Sequence, residues 1–182
     1  MAITLVPVNE TAKQEDSAMR AQIIEEFGPA DIFKLDTLPE PTPGPGQVAI
    51  RQEASSVNPV DYKIRQGAAG PIAPALPAVL GSDISGTVIA VGDGVTEFHM
   101  GDTVYGAAAG VAGQGGAYAE VVNAEARLLA KRPRSLTGRE AGALPLVAIT
   151  ALEGLKRAGV AAGKAVLVRG GTGGVGHIAV QY

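Results

Sequence analysis

The sequence predicts an α+β-to-α/β chain in which a β domain is followed by a helical connector and the opening of an α/β unit. Three observations predict it. From Met19 to about Arg132, short apolar runs alternate with Gly- and Pro-rich turns, the pattern of a small barrel or sandwich. From Ser135 the apolar residues fall at helical spacing instead. At the end, Ala165-Val166-Leu167-Val168 runs into Gly171-Thr172-Gly173-Gly174-Val175-Gly176 and then into a helix start, His177 to Gln181. The expected boundaries are an extension over 1–18, a β domain over 19–134, and a connector with the start of the α/β unit over 135–182.

The elements follow in order. Arg20 to Glu25 reads as a short strand with Ala21 and Ile23 on one face. Pro39, Pro41, Pro43, Gly44, Pro45 and Gly46 form a turn-rich segment that cannot join a ladder. Val48 to Glu53 alternates with period two, and Ile84 to Val91 is a further run closed by the turn Gly92-Asp93-Gly94. Thr103-Val104-Tyr105 and Tyr118 to Val122 supply two more strands. Thr137-Gly138-Arg139-Glu140 has capping-box spacing and opens a short helix. Pro145 suits the first turn of a second helix, whose apolar stripe is Leu144, Ala148, Leu152 and Leu155 and whose stop is Gly159. Ala165 to Val168 has the continuous apolar character of a buried parallel strand.

Composition excludes several function classes. The formal net charge of -3 leaves no basic field to attract nucleic acid. No apolar run approaches the ~20 residues of a membrane span. Residues 1–18, with Glu10, Lys13, Glu15 and Asp16, lack the apolar core of a secretion signal and read as a mobile extension, with Met19 as the structural start. The chain has no cysteine, which removes disulfides, thiol nucleophiles and Cys-ligated zinc together. A cytoplasmic location is the simplest expectation.

The glycine loop is the strongest chemical signal. Backbone N–H groups at a helix start, with the helix dipole behind them, favour a pyrophosphate. Glycines allow the tight turn and the close approach of phosphate. A P-loop would need Lys-Ser/Thr after the last glycine, and His177-Ile178 stands there instead. The remaining alternative is a glycine-rich turn without a ligand. A first βαβ crossover takes roughly 30 residues, and the sequence ends within the first turns of its helix. The expectation is an N-terminal piece, poorly soluble and weak in dinucleotide affinity by itself.

A second segment runs Ser56-Val57-Asn58-Pro59-Val60-Asp61-Tyr62-Lys63-Ile64-Arg65-Gln66-Gly67. Asn58 precedes proline and is held extended, with a short polar side chain ready to donate and accept hydrogen bonds. Asp61 can cap the helical turn that follows. Taken alone, these residues are an ordinary Asn-Pro turn.

This segment, together with Gly81-Ser82-Asp83-Ile84-Ser85-Gly86-Thr87-Val88, Gly101-Asp102-Thr103-Val104-Tyr105-Gly106, Gly116-Ala117-Tyr118-Ala119-Glu120 and the glycine loop, resembles the medium-chain dehydrogenase/reductases. The closest likeness is to their zinc-independent quinone oxidoreductase (zeta-crystallin-like) branch, near the enone reductases. The resemblance runs collinearly from Met19 to Tyr182. It implies a GroES-like β-barrel followed by the truncated start of a Rossmann nucleotide-binding domain, with cofactor and substrate between them. It implies NADPH-dependent hydride transfer to a small-molecule quinone or α,β-unsaturated carbonyl, with NADH as the alternative cofactor; the residue that separates the two lies ~20 positions past the loop. It also implies a full-length homodimer.

Carried over residue by residue, the resemblance gives Asn58 and Lys63 as catalytic candidates. Asn58, Thr150, Gly171, Thr172, Gly173, Gly174, Val175 and Gly176 are the cofactor-binding candidates. Lys63 stands where Tyr is common; it polarises the substrate oxygen, binds cofactor, or is an exposed lysine. Thr150 lies beside the nicotinamide or is a helical Thr bonded to a carbonyl one turn back. Ser82-Asp83 replaces the His-Glu pair of zinc-dependent relatives, so no zinc is expected. His99 reads as a surface residue, and His177 as solvated or touching a phosphate. Thr172 departs from the small residue usual in the branch. The reading from a different class is a non-catalytic GroES-like binding or scaffold module with a vestigial nucleotide-binding tail.

Overall fold

The structure is a computed structural model that describes residues 17–110 and 114–182. Its elements are β1 (Ala18–Ile24), β2 (Lys34–Pro39), β3 (Gln47–Ala54), α1 (Pro59–Arg65), β4 (Ala78–Val79), β5 (Asp83–Val91), β6 (Thr103–Ala107), β7 (Val121–Glu125) and β8 (Ala130–Lys131), followed by α2 (Gly138–Gly142), α3 (Pro145–Arg157) and α4 (Gly174–Gln181). The expected extension over 1–18 falls outside the described residues except at Ser17 and Ala18, and Ala18 already belongs to β1.

The strands form two antiparallel sheets, one ordered β2-β1-β4 and the other β7-β3-β5-β6-β8. Strand β1 buries Met19, Ala21 and Ile23 and exposes Arg20 and Gln22, as a period-two strand over a core must. In β3 the alternation fails: Val48, Ala49 and Ile50 are all buried. The cause is coverage of both faces. Val48 and Ile50 pack with Ile84, Val88 and Val104, while Ala49 packs with Met19 and Val121.

Three departures from the sequence reading have physical causes. Strand β2 was not marked by any apolar face, because nearly all its residues are exposed. It pairs with β1 from Ile23↔Lys34 to Ala18↔Pro39, so Pro39 does enter a register, at the end of an edge strand where a missing N–H is tolerated. Strand β7 begins at Val121, not Tyr118. Residues 117–120 instead stitch the two sheets together. The Gln22 amide donates to the Tyr118 carbonyl at 2.8 Å, the Glu120 amide to Arg20 at 3.0 Å, and the Gln52 amide to Glu120 at 2.9 Å. The two sheets are thus joined by an irregular segment and are not closed into a barrel by a continuous ladder.

The third departure is Ala165 to Val168, which forms no strand. A parallel strand takes its ladder bonds from neighbouring strands, and none of the described strands lies beside it. Leu167 is 93% exposed. The helices fall as their signals indicate. Thr137 and Glu140 cap α2 reciprocally, the Thr137 amide donating to Oε2 at 2.8 Å and the Glu140 amide to Oγ1 at 3.3 Å. Pro145 opens α3, and Gly159 lies just beyond its end. Helix α4 packs on α3, where a Cβ at Gly174 would stand 3.3 Å from Val147 Cγ1.

Two glycines make opposite demands. Gly86 pairs with Gln52 beside a register irregularity in β3, and a Cβ there would meet the Arg51 carbonyl oxygen at 2.2 Å. Gly154 lies inside α3 with open space around it. Gly86→Ala is expected to destabilise the fold by about 1–3 kcal/mol through overpacking. Gly154→Ala is expected to stabilise it by about 0.5–1 kcal/mol through backbone entropy. Urea unfolding midpoints of the two variants, moving in opposite directions, check both.

Candidate functional site

Asn58 sits at the hinge between a strand exit and a helix. Its backbone is extended, φ -116° and ψ 158°, as the following Pro59 requires, and it occupies the N-cap of α1. Asp61 was expected to cap this turn; it does so from the third helical position, reaching back to accept the Asn58 amide at 2.6 Å. The same carboxylate oxygen accepts the Tyr118 hydroxyl at 2.8 Å. Burial raises the Asp61 pKa above the ordinary carboxylate value, the two hydrogen bonds oppose the shift, and the nearby charge of Asp83 adds to it. Burial, then the negative charge of Asp61, pushes the Tyr118 hydroxyl well above the usual phenol range.

Asp83 opens β5 and is fully buried. Its Oδ2 accepts the Ser56 hydroxyl at 2.5 Å and Asn58 Nδ2 at 2.8 Å, and its Oδ1 accepts the Leu146 amide at 2.8 Å. A buried carboxylate is costly unless donors surround it; here three donors do, one of them from the first turn of α3, whose dipole favours the negative charge. The sequence reading saw Asp83 only as a departure from a metal-ligand pair. Its partners lie 27, 25 and 63 residues away, so no local pattern could have marked it as a hub.

Beside this hub lies a cavity of about 370 Å³. Asn58, Ser82, Thr150 and Val175 line it, with Leu146 and Val147 among its apolar walls. The fold therefore brings the Asn-Pro turn, helix α3 and the glycine loop to one place. Thr150 donates its hydroxyl to the Leu146 carbonyl at 2.7 Å, the helical bond that was one of its two readings, and it lines the cavity as well. Lys63 is exposed on α1 and is not part of the lining.

The glycine loop turns sharply. The Gly173 amide donates to Gly170 at 3.0 Å, and the first bond into α4 runs from the His177 amide to Gly173 at 2.9 Å. The amides of Gly174, Val175 and Gly176 precede that bond and have no intrahelical acceptor. A Cβ on Gly176 would lie 2.0 Å from the Gly170 carbonyl oxygen, so only glycine lets the helix start this close to the loop. Gly171 is partly buried, while Thr172 and Gly173 are exposed. His177 Nδ1 lies 3.1 Å from the Gly173 carbonyl, turned onto its own loop. His99 is exposed, and its amide donates to Asp102 at 2.9 Å. Among the described residues no cluster of three or more His, Asp or Glu could hold a metal.

Replacing Asp83 by Ala is expected to leave three donors unanswered and to lower stability by roughly 3 kcal/mol or more, read by urea unfolding. Asp61 has a second consequence. Its folded pKa is raised, so the native state binds more protons between the ordinary value near pH ~4 and the raised one. Stability is therefore expected to fall as pH rises through that interval. Asp61→Asn should flatten that slope in unfolding free energy measured against pH.

The comparisons with known proteins bear on family and fold. The family described as alcohol dehydrogenase GroES-like domain matches residues 44–134, half of the chain. An NADPH-dependent alkenal/one oxidoreductase, chloroplastic, from Arabidopsis thaliana is 38% identical over 96% of this chain and 47% of its own length. An alcohol dehydrogenase superfamily protein from Novosphingobium aromaticivorans superposes with a TM-score of 0.84 at 51% identity, over 90% of this chain and 49% of that one. The quinone oxidoreductase of Coxiella burnetii gives 0.84 at 38% identity, over 91% and 53%. The chain thus spans about half the length of the relatives it matches. It belongs to the alcohol dehydrogenase GroES-like family, within the quinone-oxidoreductase branch of the medium-chain dehydrogenase/reductases.

Proposed function

We propose that the protein carrying this chain is an NADPH-dependent oxidoreductase that transfers a hydride to a quinone or an α,β-unsaturated carbonyl compound. The observation that carries the reading is the meeting of Asn58, Thr150 and Val175 around one cavity. A domain division near residue 134 accords with it, since the family match ends there. The printed names of relatives, an NADPH-dependent alkenal/one oxidoreductase and a quinone oxidoreductase, support the cofactor and the substrate class.

The residues fit the cofactor. Gly171, Thr172, Gly173, Gly174, Val175 and Gly176 would form the cradle, with three amides at the start of α4, which lack an intrahelical acceptor, available to a diphosphate. Asn58 and Thr150, which line the cavity, would hold the nicotinamide side. The bound cofactor supplies the hydride. The chain's own residues supply position and field. Asp83 fixes the Asn58 side chain and the start of α3 together, so the candidate residues on these two elements keep one geometry. The apolar walls, Leu146 and Val147 among them, exclude water. The exposed position of Lys63 favours a contact with cofactor over one with the substrate oxygen. No acid or base is needed for the hydride step, and the final proton comes from solvent. We take the enzyme to be zinc-independent, a homodimer at full length by resemblance, and cytoplasmic on its cysteine-free composition.

The full-length protein should consume NADPH in the presence of benzoquinone or cyclohexenone. Asn58→Ala should lower kcat by about 10²-fold, the scale for removal of one preorganised donor. NADPH binding without turnover of either acceptor would favour the non-catalytic module instead.

A further inference from the structure

We infer that Tyr118 is a positioning residue for the reduction: its hydroxyl, acting through the Asp61 carboxylate, holds Asn58 in place at the cavity. The inference deepens the oxidoreductase reading and rests on it. Asn58 lines the cavity and is held from two sides. Its side chain donates to Asp83 Oδ2 at 2.8 Å, and its backbone amide donates to Asp61 Oδ2 at 2.6 Å. The first contact sets the direction of the side chain. The second sets the main chain, and with it the start of α1.

Asp61 cannot set that position alone. It belongs to the first turn of the helix that it caps, so it moves with Asn58. A bond within one turn fixes the shape of the turn and not its place in the molecule. Packing of Ile64 and Val60 with Ile24 and Leu80 holds α1 against the sheet, but apolar contact is non-directional. A directional tie must come from a polar group on another element. The Tyr118 hydroxyl supplies one, donating to the same Asp61 Oδ2 at 2.8 Å. The Ser56 carbonyl lies farther from that hydroxyl, at 3.5 Å. Burial, then the charge of Asp61, keeps the phenol protonated, so it stays a donor.

Tyr118 is itself fixed at every point. Its amide donates to the Leu80 carbonyl at 2.9 Å, and its carbonyl accepts the Gln22 amide at 2.8 Å. Its ring lies on Gly81, where a Cβ would stand 2.5 Å from Tyr118 Cδ1. The absent side chain at Gly81 is what admits the ring. Gly81 leads through Ser82 into Asp83. One aromatic side chain therefore rests on the segment that delivers Asp83 and reaches across to the carboxylate that holds the Asn58 amide. Both holds on Asn58 share this reference.

The reaction makes that reference matter. Hydride transfer needs donor and acceptor carbons in near-contact geometry, and a displacement of about 1 Å at a positioning group can cost about 10²-fold in rate. Freeing the Asn58 main chain lowers the share of complexes in that geometry. It removes no group that touches cofactor or substrate. The signature is a loss of kcat that depends on the Asn58 side chain being present.

The test uses the full-length enzyme with NADPH and either benzoquinone or cyclohexenone. Tyr118→Phe keeps the ring on Gly81 and removes only the hydroxyl. It is expected to lower kcat about 10-fold, with KM and NADPH affinity within about twofold of the wild type. In an Asn58→Ala enzyme the same substitution should change kcat by less than about twofold, because the group it positions is gone. A hydroxyl that served only the fold would not show this dependence. Each variant is also made with Gly154→Ala, expected to be stabilising, to offset the lost hydrogen bond. A kcat fall of less than about threefold for Tyr118→Phe would overturn the role of Tyr118 and leave the oxidoreductase reading intact. So would a loss that appears in KM instead of kcat, or one of equal size with and without Asn58. A Tyr118→Phe protein that folds in neither background would overturn it too, since the hydroxyl would then hold the fold and not the site. A wild type that turns over neither acceptor would overturn both.

Discussion

One buried carboxylate organises this molecule. Asp83 has no exposed surface, and burying its charge is unfavourable by itself. The fold meets that demand by bringing donors from three places: Ser56 after β3, Asn58 at the start of α1, and the Leu146 amide at the start of α3. Each donor belongs to an element that must be in place before the carboxylate is satisfied. The interaction therefore ties the barrel to the connector helix, and the candidate catalytic Asn58 to the helix that carries Thr150.

Asp61 and Tyr118 extend the same logic toward the seam of the barrel. The Tyr118 hydroxyl and the Asn58 amide both donate to Asp61, and Tyr118 is part of the irregular segment that joins the two sheets. Its ring also meets Phe33 edge-on, with centroids 6.2 Å apart. The position of the Asn58 turn thus depends on the segment that joins the two sheets on one side and on helix α3 on the other.

The cavity itself is a product of packing between regions far apart in sequence. Its lining comes from the Asn-Pro turn, the residue before β5, the end of β6, helix α3 and the glycine loop. The tail contributes through helix α4, which packs on α3 although the apolar residues before it form no strand. Helix-on-helix contact and the tight glycine turn are enough to hold Val175 at the cavity. A sheet is not needed for that placement.

Local signals determined much by sequence alone. Capping residues, proline positions, period-two runs and the glycine loop marked β1, β5, β6, α2, α3 and the start of α4, because each rests on the backbone preferences of a few adjacent residues. The quoted motifs also carried the family. What they could not carry was anything set by partners elsewhere in the chain. Strand β2 has no apolar face to betray it, β7 begins later because residues 117–120 are used as a stitch, and Ala165 to Val168 has the composition of a strand but no ladder to join. The role of Asp83 belongs to the same class: whether a buried carboxylate is answered depends on donors brought together from tens of residues apart, and only the tertiary structure decides that.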